Sequence, residues 1–229
     1  MRLTYGDYLC LPDLLDQRRP RSAEHDELLF ITVHQACELW FRQILTELTA
    51  ARDDLLAGET YPPRLRLRRC ATIERVLAGH FDVLDTMAPQ EFLRFRDALG
   101  SASGAQSAQF RRIEQLSARG GAVPPAEPGV WDGFLAVLAK AGFPVATPAE
   151  RTEAYREIAT DRREHESLWE LAESLLDHDQ AWSLFRQRHV HTVERQIGAR
   201  PGSAGTSGAA GLAARTHFYP ELWELRSVL

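Results

Sequence analysis

The sequence has few cysteines, a single lysine and no long apolar run. Its three cysteines, Cys10, Cys37 and Cys70, lack the CxxC spacing of a zinc or redox site, which favours free thiols in a reducing cytosol. No apolar stretch approaches the roughly 18 residues that suggest a membrane-spanning helix. The N-terminal residues contain no apolar core of the kind that a secretory signal carries. We therefore expect a cytoplasmic protein with no membrane partner.

The charge balance and the missing motifs exclude several classes of function. A net charge of −5 argues against a nucleic-acid or anionic-membrane partner. The positive charge comes almost entirely from arginine, since Lys140 is the only lysine. The sequence contains no GxSxG, HExxH, phosphate-loop or Rossmann pattern. Its 229 residues suit one large domain with a substantial core, so residues 1–229 are expected to form a single domain.

Apolar residues recur at helical spacing along most of the chain, and no alternating strand pattern or internal repeat is present. We predict an all-α fold, a bundle of long antiparallel helices with short cross-helices. A long first helix is expected to begin after Ser22 as its N-cap and to end near Gly58. Its first half is apolar nearly all the way round, which predicts burial on every side. The further predicted helices span residues 12–18, 65–87, 89–100, 108–118, 131–141, 148–177 and 180–197, with a short one near 218–226.

One face of the long first helix carries a histidine among apolar side chains. Phe30, His34, Cys37 and Phe41 follow one another at helical spacing. Such an imidazole is either a core histidine hydrogen-bonded to a carbonyl or a histidine that faces a ligand in a dry pocket. The segment alone leaves both interpretations open.

A second helix carries two histidines with different surroundings. His189 and His191 are two residues apart, so they point about 200° from each other and cannot share one metal ion. His189 continues an apolar stripe with Trp182 and Phe185, whereas His191 lies among polar residues. A lone buried histidine is a poor zinc site, but haem iron needs only one proximal histidine. A satisfied core histidine is the alternative.

Two further features could bind a charged ligand. Arg96 lies one turn after Phe92 on an apolar face, where a buried guanidinium needs a partner. That partner is either an internal acid such as Asp97 or Glu114, or a ligand carboxylate that the planar guanidinium can hold at two points. The loop GSAGTSG at 202–208 offers backbone amides and hydroxyls, although such composition usually marks a flexible linker.

Taken in order, several blocks resemble the tryptophan 2,3-dioxygenase family of haem enzymes. The resemblance covers nearly the whole chain except the stretch at 119–130. The blocks are TYGDYL at 4–9, HDELLFITVHQACELWFRQI at 25–44, FLRFRDALGSASGAQSAQFR at 92–111, RHVHTVERQIG at 188–198, GSAGTSG at 202–208 and FYPELWELR at 218–226.

The resemblance implies a haem b cofactor and assigns the residues around it. His189 matches the proximal ligand of the haem iron, and His34 matches the distal histidine that hydrogen-bonds the indole N–H. Phe30 matches the aromatic wall beside the substrate ring. Arg96 matches the arginine that clamps the amino-acid carboxylate, and Phe92 stands near that carboxylate, where some members have tyrosine.

The resemblance also implies contributions from a mobile loop and from a second subunit. Residues 199–211 match a mobile active-site loop, in which Ser203 stands where the family has a threonine that contacts the ammonium and carboxylate of the substrate. Tyr5 and Tyr8 match aromatics that enter the active site of a neighbouring subunit, so residues 1–24 are expected to form an arm in a homotetramer.

The implied reaction uses dioxygen to open the indole ring of L-tryptophan, or of a close derivative, to N-formylkynurenine. Two departures bear on this reaction: the loop reads GSAG in place of GTGG, and Ala105 replaces a bulky aromatic residue. A monooxygenase that forms a 2-oxindole from tryptophan or a methylated tryptophan is an alternative within the superfamily. A haem- or indole-binding sensor without turnover is a second alternative.

Overall fold

The computed structural model describes residues 2–118, 127–202 and 217–227. Within these ranges all regular structure is helical, which confirms the all-α prediction, and none of the helices there is long and apolar enough to cross a membrane. The α-helices are α1 Tyr5–Tyr8, α2 Leu11–Asp16, α3 His25–Leu56, α4 Tyr61–Leu84, α5 Pro89–Phe95, α6 Ala108–Ser117, α7 Val130–Lys140, α8 Pro148–Thr160, α9 Glu166–Ile197 and α10 Pro220–Leu225.

Three long helices, α3, α4 and α9, form the centre of the bundle. The chain reverses between α3 and α4, because Glu47 pairs with Arg69 while Cys37, nearer the start of α3, contacts His80 near the end of α4. Helices α4 and α9 instead run parallel, since contacts between them advance together along both helices. The shorter helices α5 to α8 connect α4 to α9 and return the chain to the end where α4 began.

The start of α3 differs from the prediction. Glu24, and not Ser22, is the N-cap residue. The hydroxyl of Ser22 donates to the buried carboxylate of Glu27 at 2.5 Å, and the backbone N–H groups of Arg21 and Ser22 donate to the same carboxylate at 2.8 and 2.7 Å. The Ser22 hydroxyl therefore joins the preceding segment to the first turn of α3 instead of capping the helix.

The apolar interior is built from the inward stripes of the long helices, as the periodicity predicts. The prediction that the first half of α3 is buried on every side is wrong, because Leu39 and Trp40 are 57% and 38% exposed. Val76 on α4 is also exposed. These side chains lie on outer faces that no other helix of the described chain covers.

The helix boundaries in the second half also differ from the prediction. Helix α8 ends at Thr160, before a polar turn, whereas α9 continues without interruption through His178 and Asp179. Those polar residues do not break α9 because each has buried partners. His178 Nδ1 lies 2.8 Å from Glu74 Oε1, and Asp179 accepts hydrogen bonds from the backbone N–H of Tyr219 and from the indole N–H of Trp223.

Candidate functional site

His189 lies on the inward side of α9, and His191 is exposed, in agreement with the helix-face prediction. The imidazole of His189 stacks on the ring of Phe81 from α4, with centroids 5.0 Å apart and planes 9° from parallel. On another side, a Cβ at Gly104 would lie 4.0 Å from His189 Cε1. Neither ring nitrogen of His189 has a hydrogen-bond partner among the described residues. Within the described part of the chain, packing is therefore what holds this side chain.

Burial, reinforced by the nearby His34, lowers the pKa of His189 to about 4. A neutral imidazole keeps a lone pair on one ring nitrogen, and that lone pair is what binds a metal. His189 therefore carries a free donor atom at neutral pH. Cys37, one turn after His34 on α3, contacts His80, which directly precedes Phe81 on α4, so His34 and His189 lie at the same end of the bundle.

His34 lies in α3 with one ring nitrogen engaged. Its Nδ1 is 2.7 Å from the backbone carbonyl oxygen of Phe30, so Nδ1 carries the hydrogen and donates it. Burial lowers the pKa of His34, although the carbonyl acts in the opposite direction. In this neutral form Nε2 is a hydrogen-bond acceptor. His34 thus makes the hydrogen bond to a carbonyl that is expected of a core histidine. Its second ring nitrogen, Nε2, is still available to a ligand.

An aromatic wall continues from His34. The ring of Phe30 lies 4.0 Å from the His34 ring and 5.7 Å from the rings of both Phe92 and Phe95. Phe92 and Phe95 meet edge to face at 5.4 Å, and both are buried. Offset and edge-to-face contacts are the favoured geometries of aromatic pairs. The wall presents apolar surface beside His34, where a planar aromatic ligand would be bound without water.

Arg96 lies just past this wall. The helix predicted over residues 89–100 is α-helical only to Phe95; a tighter 3₁₀ turn follows over Arg96–Leu99, and Gly100 has a φ of +57°. Arg96 Nη2 donates to the backbone carbonyl of Pro201, at the start of the predicted active-site loop. Within the described chain no carboxylate lies at ion-pair distance from Arg96, and Glu114 lies instead 3.6 Å from Arg186.

The remaining predicted residues are Ser203, Tyr5 and Tyr8. Ser203 and the rest of the 199–211 loop beyond Gly202 lie outside the described residues. Tyr5 and Tyr8 are on α1 and are 76% and 73% exposed. The arm that carries them is tied to α3 by a hydrogen bond from the Gln35 side chain to the Gln17 carbonyl at 3.1 Å.

Sequence reasoning missed two parts of the site. It did not identify Phe81 as the surface on which His189 stacks. It also missed the ion pairs of Arg188 with Asp82 and Asp85, which flank that stack. A signal was present in each case, because Arg188 directly precedes His189 and Asp82 directly follows Phe81.

The donor set fits a haem better than a bare metal ion. The described part of the chain contains no group of three or more histidine, cysteine or acidic side chains that could hold a metal ion by itself. Haem iron takes four nitrogens from its porphyrin and needs a single neutral imidazole from the protein, which His189 offers. Fold and site together define an all-α protein that offers a neutral, packed imidazole on α9 and, on α3, a second histidine beside an aromatic wall, the groups that a haem protein with an aromatic ligand needs.

Comparison with known proteins places this architecture in a family. The family model for tryptophan 2,3-dioxygenase matches residues 1–120 and 150–229. The chain is 46% identical to the tryptophan 2,3-dioxygenase of Nocardioides sp. (strain ATCC BAA-499 / JS614), across 100% of this chain and 95% of that relative. It is 39% identical to those of Anaeromyxobacter sp. (strain K) and Herpetosiphon aurantiacus, across 99% of this chain and 96% and 98% of those proteins. The chain belongs to the tryptophan 2,3-dioxygenase family, which confirms the resemblance found in the sequence.

Proposed function

We propose that this protein is a haem-dependent dioxygenase that opens the indole ring of L-tryptophan, or of a close derivative, to N-formylkynurenine. The observation that carries the proposal is His189, a neutral imidazole with no hydrogen-bond partner in the described chain, at the same end of the bundle as His34 and the aromatic wall. Relatives named tryptophan 2,3-dioxygenase over essentially the whole chain favour this reaction over its alternatives.

In this proposal His189 holds haem b through its free ring nitrogen. The haem, when bound, supplies the dioxygen chemistry, and the protein supplies binding, orientation and a dry pocket. The stack on Phe81 fixes the plane of the imidazole. The low pKa of His189 keeps the nitrogen deprotonated across the physiological range, so that no proton competes for it.

The distal side orients the substrate. His34 donates its Nδ1 hydrogen to the Phe30 carbonyl, so its Nε2 accepts the indole N–H. Phe30 and Phe92 flank the indole plane and exclude water from it. Holding the ring in one orientation supplies much of the rate by proximity. We assign His34 this orienting role and no obligatory role as a base.

The amino-acid end of the substrate is assigned to Arg96 and the loop that follows Pro201. Arg96 has no acidic partner in the described chain and contacts the start of that loop, which supports a carboxylate-binding role. Ser203 would contact the ammonium and carboxylate groups. Ala105, in place of a bulky aromatic residue, leaves more room near the haem, which would admit a substituted indole.

We also propose a homotetramer in the reducing cytosol. Exposed Leu39 and Trp40 on α3 support contacts with other subunits, and exposed Tyr5 and Tyr8 support an arm that enters a neighbour's site. The cysteines of the chain are unpaired, as expected for a reducing compartment. Burial raises the pKa of Cys37 to about 12, so this thiol stays protonated and unreactive.

The test is mass spectrometry of the product formed from L-tryptophan by the reduced, haem-loaded protein under ¹⁸O-labelled dioxygen. Ring opening takes both oxygen atoms and needs no net electrons, so the proposal expects two labelled atoms in one product. A single oxygen atom in a 2-oxindole would establish the monooxygenase. A haem spectrum and tryptophan affinity without substrate loss would establish a sensor, and a chain that stays colourless with added hemin would overturn the haem assignment.

A further inference from the structure

His189 differs from most metal-binding histidines in how its ring is held. The second ring nitrogen of such a histidine usually donates to a carboxylate or a carbonyl, which fixes the orientation of the ring. In the described chain no such acceptor lies within hydrogen-bond distance of His189. The plane of the imidazole is set instead by the stack on Phe81, so it depends on how α4 is placed against α9.

An ion-pair cluster lies directly beside this stack. Arg188 Nη2 is 2.7 Å from Asp82 Oδ1 and 2.6 Å from Asp85 Oδ2, and Arg188 Nε is 3.2 Å from Asp82 Oδ1. Arg188 Nη1 donates to Thr192 Oγ1 one turn further along α9, at 3.3 Å. A planar guanidinium held at several points has little freedom to shift.

The cluster and the stack occupy adjacent positions on both helices. Phe81 and Asp82 are consecutive on α4, and Arg188 and His189 are consecutive on α9. Apolar packing alone discriminates weakly between neighbouring registers, and a slip by one helical turn would displace Phe81 by about 5.4 Å. The buried pair of His178 and Glu74 fixes the register near the middle of the two helices, and the directional bonds of Arg188 fix it at the end beside His189. Asp85, which caps the end of α4, is only 12% exposed, so its bond to Arg188 is partly protected from solvent.

We infer that Arg188, through Asp82 and Asp85, is a positioning residue that sets the orientation of the His189 imidazole by fixing α4 against α9. This inference rests on the proposed haem site. Loss of the cluster frees the last turn of α4 to shift and tilts Phe81 relative to His189, which would weaken the hold of His189 on the haem. Because the cluster lies at the edge of the bundle and contains no fully buried charge, its removal leaves the fold intact.

The experiment compares Arg188→Gln with Arg195→Gln in the full-length, haem-loaded protein. Arg195 is an exposed arginine on the same helix with no ion pair in the described chain, so it controls for the loss of charge. The readouts are the iron–histidine stretching band of the ferrous protein and the rate of haem transfer to apomyoglobin. We expect Arg188→Gln to shift or broaden the band and to speed haem loss about tenfold, in the range seen when groups that support a metal ligand are removed.

Two further variants test whether the size of the effect follows the number of bonds that Arg188 loses. Asp85→Asn should reproduce most of the change, whereas Arg188→Lys should show an intermediate one, because lysine keeps the charge and loses the planar arrangement of donors. If Arg188→Gln lowers the unfolding temperature but leaves the iron–histidine band and the haem-loss rate unchanged, the ion pairs of Arg188 stabilise the fold only. That result would overturn the inference. A wild-type protein that takes up no haem would instead overturn the proposed function.

Discussion

The imidazole of His178 and the carboxylate of Glu74 form a pair at the centre of the bundle, with Nδ1 and Oε1 2.8 Å apart and both side chains fully buried. The other ring nitrogen of His178 lies 2.9 Å from the hydroxyl of Ser117, also fully buried. Burial raises the pKa of Glu74, and the neighbouring His178 partly opposes that rise. Three helices, α4, α6 and α9, are thus joined by polar contacts inside an apolar core.

Replacing His178 with alanine should destabilise the protein strongly, because it leaves the Glu74 carboxylate buried without its partner. Breaking a buried pair in this way costs on the order of 3–5 kcal/mol of unfolding free energy. Urea denaturation followed by circular dichroism measures the loss. The matched control is His191→Ala, which removes an exposed imidazole from the same helix and should change stability by less than about 0.5 kcal/mol. Equal effects of the two variants would contradict this account of the core.

His189→Ala should abolish haem retention, whereas His191→Ala should leave it unchanged. The reason is geometric: the two side chains leave α9 on opposite sides, and only His189 lies beside Phe81 and Gly104. The Soret absorbance of the purified proteins after hemin loading and gel filtration measures retention. Added imidazole should restore part of the absorbance to His189→Ala by taking the place of the missing ring. Retention of haem by this variant without imidazole would remove His189 from the ligand role.

Arg96→Ala should weaken tryptophan binding while haem stays bound. A hydrogen bond to a charged group is worth about 1.5–3 kcal/mol, which corresponds to roughly a tenfold to hundredfold higher apparent KM. Steady-state kinetics at fixed dioxygen, together with the Soret absorbance, separate the two effects. Arg94, an exposed arginine two residues earlier that pairs with Glu91, provides the control variant Arg94→Ala. An unchanged KM for Arg96→Ala would contradict the carboxylate role.

Glu27 should make the protein less stable as the pH falls below the ordinary range of a carboxyl group. Burial alone would raise its pKa, but the hydrogen bonds from Ser22 and Arg21 outweigh burial and lower it. A carboxyl whose folded-state pKa is lowered contributes stability above its unfolded-state pKa and loses that contribution as the pH falls through the folded-state value. Unfolding free energy measured from pH 7 down to pH 3 should therefore fall less steeply for Glu27→Gln than for the wild type. Parallel curves for the two proteins would exclude Glu27 from the acid response.

Much of the fold follows from local pattern. Helical periodicity located the long helices, and the two-residue spacing of His189 and His191 separated an inward histidine from an exposed one. The continuity of α9 through His178 and Asp179 did not follow, because the groups that satisfy those polar side chains come from α4, α6 and the C-terminal segment. The exposure of Leu39 and Trp40 did not follow either, since an apolar residue indicates burial without saying which surface covers it.

In the candidate site, too, some features could be predicted from the sequence and others depend on contacts between distant residues. Residue type and helix face singled out His34, Arg96 and His189 separately, and the family resemblance implied that they, with Phe30, belong to one site. The contact of Arg96 with the Pro201 carbonyl joins residues more than a hundred positions apart, and no local pattern encodes it. The stack of Phe81 on His189 depends on the parallel packing of α4 against α9, which the sequence does not specify.

Helix α4 ends beside Arg188, so the last carbonyl groups of that helix, which carry partial negative charge, lie near its guanidinium. Arg188 thus acts as a local counter-charge for the end of α4 as well as a connector between two helices. Both contributions are electrostatic and partly exposed, so they should weaken as the salt concentration rises.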